Sequence, residues 1–103
     1  MTTKISIDKA KVAGFCSRWK IVEFALFGSV LRDDFGPDSD LDILVTFAPD
    51  AKWSLFDHVD MQDELKEMLG REVDLVSRRG IERSANYIRR KAILESAQVL
   101  YAA

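Results

Sequence analysis

Apolar positions along the chain switch between a helical and an extended period, and the switches delimit the elements. Val12, Phe15, Cys16 and Trp19 recur at i, i+3, i+4 and i+7, predicting a helix that Asp8 is placed to cap. Cys16 and Trp19 fall on that stripe and are expected in the core. Ile21–Phe27 is rich in strand formers and stops at Gly28-Ser29, where a short helix is expected to begin. Gly36-Pro37 marks a turn, and the alternating run Leu41–Phe47 predicts a second strand, ended by Pro49. Ser54 and Asp57 have the spacing of a capping box. The helix they open has Leu55, Val59, Leu65, Met68 and Leu69 on one broad face, and Gly70 is a suitable C-terminal stop. Val73–Val76 reads as a third strand. A basic helix carrying Tyr87, Ile88, Ala92 and Ile93 is expected from Ser84 to about Leu94, and the alternation of Ala97, Val99 and Tyr101 predicts a last strand. This order indicates a small α/β (α+β) domain with one mixed sheet, because the long helix supplies the crossover that two parallel strands need.

Composition narrows the class without naming a function. At 103 residues the chain fits one domain, 1–103, with little mass left for a separate substrate-binding domain. No run approaches a membrane span and no signal peptide is evident at the N-terminus, so a cytoplasmic protein without a membrane partner is expected. Cys16 is the single cysteine, which excludes an internal disulfide and a Cys-based zinc site. The net charge of −2 conceals a segregation: residues 1–32 carry +4, residues 33–74 carry −10 and residues 75–103 carry +4. An acidic centre between basic ends suits a cation-dependent site for an anionic ligand. It does not suit a protein that coats nucleic acid, so no direct nucleic-acid binding is expected.

Three carboxylates carry the candidate chemistry. Asp40 and Asp42 are two apart at the start of a strand and therefore share a face, opposite the core face of Leu41, Ile43, Val45 and Phe47. Asp74 likewise points away from the core face of Val73 and Leu75, and it joins the pair if the two strands are neighbours. Two ionised carboxylates about 4 Å apart repel by roughly 4 kcal/mol at an effective dielectric near 20, so a trio favours a cation. Oxygen-only ligands select a hard ion, Mg²⁺ foremost. Asp38, Asp40 and Asp42 imitate the opening of a calcium-binding EF-hand loop, but Ile43 and Pro49 stand where that loop requires Gly and Glu. Upstream, Gly28 permits close backbone approach to a ligand. Ser29 adds a hydroxyl donor, and Arg32 lies one helical turn further on, within reach of an anion held there.

The block from Gly28 to Val45, with Gly-Ser, then Asp40-Leu41-Asp42, and Asp74 on a later strand, resembles the signature of the polymerase-β-type nucleotidyltransferase superfamily. Its size makes the chain similar to the minimal nucleotidyltransferases, the MntA-like antitoxins. The block departs from the pattern at Asp33, where many members have Gly. The resemblance implies a polymerase-β-like fold, a small mixed sheet with helices packed mainly on one face. It also implies AMP transfer from ATP to a tyrosine of a HEPN-domain toxin partner, in a hetero-oligomer and with two Mg²⁺ ions. By position, Asp40, Asp42 and Asp74 would be the catalytic metal ligands. Gly28, Ser29 and Arg32 would bind the nucleotide phosphates, and Ser39 would fix the loop that presents Asp40. Two other readings stay open: an oligomeric enzyme that modifies a small molecule of the aminoglycoside kind, and a non-catalytic antitoxin that occludes its toxin. Among the remaining polar residues, His58 reads as surface. Arg78, Arg79 and Arg83 could contact ATP phosphates or an acidic partner face, and Trp53 and Phe56 could form part of a partner surface.

Overall fold

The computed structural model describes residues 7–28 and 40–103. The short helix expected after Ser29 and the Gly36-Pro37 turn lie outside the described residues. In order the elements are α1 (Lys9–Arg18), β1 (Ile21–Phe27), β2 (Leu41–Phe47), α2 (Leu55–Leu69), β3 (Val73–Ser77), α3 (Arg78–Glu82), α4 (Tyr87–Ser96) and β4 (Gln98–Ala102). The strands form one sheet in the order β3-β2-β1-β4. β2 and β3 pair in parallel across the α2 crossover, whereas β1 pairs antiparallel with both β2 and β4, so the sheet is mixed as expected.

The caps that local chemistry dictates are in place. Asp8 Oδ1 accepts from the Ala10 amide at 2.9 Å. Ser54 and Asp57 form the reciprocal capping box, and Gly70 ends α2 with a left-handed φ of 70°. The basic helix starts three residues later than expected, because Asn86 is its cap and accepts from the Arg89 amide at 3.0 Å. α3 was not anticipated: Arg78–Glu82 holds one apolar residue and a glycine, too little pattern to register. Ser77 nevertheless caps it by accepting from the Gly80 amide at 3.1 Å.

Most of the core lies on one face of the sheet. Val12, Phe15 and Cys16 of α1 and Met61 and Leu65 of α2 pack there against Phe24, Leu26, Leu41, Ile43, Val45, Val73 and Leu75. Burial pushes the Cys16 thiol up to about 12, as befits an inert core residue. Trp19 is only partly buried, its Nε1 donating to Glu64 at 3.2 Å. Trp53 meets it edge to face and donates to the Trp19 carbonyl at 2.9 Å, which commits Trp53 to the fold.

Two apolar stripes differ from expectation. α2 buries Met61 and Leu65, with Met68 and Leu69 partly covered, while Leu55 and Val59 are 77% and 49% exposed. At about 100° per residue these side chains form one arc of about half the helix circumference. Leu55 and Val59 lie at its edge farthest from Met61, so the broad face exists but only part of it is buried. In β4, Val99 is exposed while Tyr101 and Leu100 pack on the core. A register irregularity between Phe24 and Ala25 breaks the alternation there.

Candidate active site

Alternation gives the sheet a second face, and its residues stack in rows. Ala25 and Leu44 face each other across β1 and β2, with Val76 beside Leu44 on β3. α3 and α4 cover this row with the buried side chains of Ile81 and Ile93. The next row toward the start of β2 is Phe27, Asp42 and Asp74, again in register across three strands. The two carboxylates therefore sit side by side on adjacent parallel strands, at the edge of a small apolar cluster that fixes their backbone. Adjacent strands are about 4.8 Å apart, close enough for both side chains to reach one ion. Asp42 is half-buried and Asp74 exposed.

Gly28 closes this corner. Its φ is +75°, and a Cβ on its backbone would overlap Asp42 Oδ2 and lie 3.1 Å from Asp42 Cγ. Only glycine permits both the left-handed backbone and the close approach of the carboxylate. A cavity of about 560 Å³ opens here, lined by Phe27, Gly28, Asp42, Asp74, Arg89, Ala92, Ile93 and Ser96. That volume is in the range of small-molecule sites, roughly 300–1,000 Å³.

The structure thus brings together Gly28, Asp42 and Asp74. Asp40 lies two residues before Asp42, just outside β2, and is exposed; it is not among the residues lining the cavity. Among the described residues no three His, Cys, Asp or Glu side chains close on one point, so the described acidic centre is the register pair Asp42 and Asp74. Ser29, Arg32 and Ser39 lie outside the described residues. The donor set is carboxylate oxygen without nitrogen or sulfur, which fits a hard divalent ion such as Mg²⁺.

Arg89 and Ser96 were missed. Both belong to the basic helix, but only the packing of Ile93 on the second face turns them toward the carboxylates, and that packing has no local signal. Two of the arginines that follow β3 are placed elsewhere, and Arg83 lines neither cavity. Arg78 and Arg79 line a separate cavity of about 410 Å³ with Thr46, Phe47, His58 and Glu82. It lies at the opposite ends of β2 and β3, about 10 Å along the strand from Asp42. This places them away from the carboxylates, and among the described residues it leaves Arg89 as the cation lining the carboxylate cavity.

Comparison with known proteins identifies the family and the fold. The family profile described as nucleotidyltransferase domain matches residues 9–100. The protein adenylyltransferase MntA of Thermococcus cleftensis is 35% identical over 65 residues, 63% of this chain and 64% of that relative. The chain therefore spans less than two thirds of that relative's length. A solved structure carrying the working description of a minimal nucleotidyltransferase is 36% identical, with a TM-score of 0.67, covering 87% of this chain and 86% of the other. A chain from the complex of a tri-AMPylated HEPN toxin with its MNT antitoxin, from Shewanella oneidensis, is 23% identical. It has a TM-score of 0.63 and covers 92% of this chain and 70% of the other, a likeness of fold alone.

Proposed function

The chain belongs to the nucleotidyltransferase domain family, and from that premise we propose that it is a Mg²⁺-dependent protein adenylyltransferase. In this reading it transfers AMP from ATP to a tyrosine hydroxyl of a HEPN-type toxin and serves as that toxin's antitoxin in the cytoplasm. The observation that carries the reading is the register pair of Asp42 and Asp74 beside the Gly28 corner, in one cavity. The adenylyltransferase name of the Thermococcus cleftensis relative supports the donor nucleotide, and the Shewanella oneidensis complex supports the partner.

The residue roles follow from what nucleotidyl transfer requires, which is positioning and charge neutralisation more than covalent work by the protein. Asp40, Asp42 and Asp74 would hold the metal, whose chemistry is to polarise the phosphates and to lower the pKa of the attacking hydroxyl. The acceptor oxygen bonds to the α-phosphorus, the bond to the bridging oxygen breaks, and pyrophosphate leaves with that electron pair. The Asp74 carboxylate, the more exposed of the register pair, accepts the hydroxyl proton. Gly28 lets the nucleotide approach the backbone, Ser29 and Arg32 contact its phosphates, and Ser39 positions Asp40.

The test is incubation of the protein with α-phosphate-labelled ATP, Mg²⁺ and a purified HEPN-type partner. Label is expected on a partner tyrosine and absent when the metal is chelated. A folded protein that leaves the partner unlabelled contradicts the reading.

A further inference from the structure

Three consecutive basic residues, Arg89, Arg90 and Lys91, open α4, and their surroundings separate them. Arg90 is committed to the fold: its guanidinium lies 5.9 Å from the centroid of the Tyr87 ring, and its Nη1 donates to the Glu82 carbonyl at 3.3 Å. Lys91 is exposed and away from the cavity. Arg89 shares the helix face of Ala92, Ile93 and Ser96, at i, i+3, i+4 and i+7, and all four line the cavity that holds Gly28, Asp42 and Asp74. Ile93 is buried against the sheet and anchors this face, which fixes the backbone of Arg89 at the cavity while its side chain stays exposed. Among the described residues the Arg89 guanidinium makes no ion pair, although two carboxylates line the same cavity.

An uncommitted guanidinium beside an acidic pair is suited to a ligand that is itself polyanionic. We propose that Arg89 binds the triphosphate of the nucleotide, on the side of the cavity opposite the carboxylates. This rests on the function proposed above and adds a residue of the donor-nucleotide site. The planar fork of arginine matches two phosphate oxygens at once, and its charge offsets the repulsion between the phosphates and the aspartates. Because the charge that builds up during transfer leaves with pyrophosphate, the same contact serves the departing group.

The experiment compares wild type with Arg89→Ala, Arg89→Lys and Lys91→Ala in two assays. In the transfer assay, Arg89→Ala is expected to raise the KM for ATP about 10- to 100-fold, with the KM for the protein acceptor unchanged. Arg89→Lys should fall between the two, since it keeps the charge and loses the fork, and Lys91→Ala should match wild type. In the second assay, melting is followed with inorganic tripolyphosphate and Mg²⁺, which should raise the melting temperature of wild type but not of Arg89→Ala. An unchanged ATP KM in Arg89→Ala, or a rise confined to the acceptor KM, overturns the assignment while the proposed function stands. Should wild type transfer no AMP, the proposed function fails, and the tripolyphosphate shift still decides Arg89: a shift retained in Arg89→Ala, or absent from wild type, overturns it.

Discussion

Asp42→Asn is expected to lower AMP transfer by about 10³-fold or more while leaving the melting temperature close to that of wild type. The two side chains have nearly the same shape, and Asp42 lies at the rim of the small apolar cluster rather than inside it. What changes is charge: an amide presents one neutral oxygen where the register pair with Asp74 offers a cation two anionic groups. Transfer to the partner and survival of cells expressing the toxin are measured together. If the protein neutralises its toxin by catalysis, protection disappears with transfer. If it acts by occlusion alone, protection persists in Asp42→Asn, and the catalytic reading is lost.

Gly28→Ala is the second large effect. The left-handed backbone at φ +75° costs an alanine roughly 1–2 kcal/mol. The added methyl would also occupy the place of Asp42 Oδ2, so the carboxylate must move. A displacement of about 1 Å in a reacting constellation costs on the order of 10²-fold in rate. At least that loss is expected, with a fall in melting temperature of about 4–8 °C per kcal/mol. Gly70→Ala is the control: its φ is +70°, but nothing lies within 4 Å of the new methyl. It should lose stability and keep activity. Equal loss of transfer in both variants would assign the effect to backbone strain and remove the steric argument for the corner.

Strand alternation at Leu41–Phe47 was enough to place Asp42 on the face away from the core, and the same rule placed Asp74, because a period of two leaves no freedom once one face is buried. Their meeting also required β2 and β3 to be parallel neighbours in register, which followed from a helix long enough to cross over. Within the apolar arc of α2, periodicity does not say which part is buried, and packing selects the side of Met61 and Leu65 over that of Leu55 and Val59. Arg89 escaped for a related reason: its neighbours in sequence are basic too, and the tertiary contact of Ile93 decides which of them faces the carboxylates. Long-range packing, rather than any local motif, supplies the cationic wall of the cavity.

The central claim is that the carboxylates of β2 and β3 hold a divalent ion beside the Gly28 corner. The most direct measurement is the anomalous diffraction signal of Mn²⁺ in crystals grown with a non-hydrolysable ATP analogue, since Mn²⁺ takes the oxygen ligands that Mg²⁺ does. The account predicts a peak within bonding distance of both Asp42 and Asp74, with the analogue's phosphates completing the coordination. A peak at the opposite cavity, near His58 and Glu82, or phosphates bound with no ion at the aspartates, would contradict it.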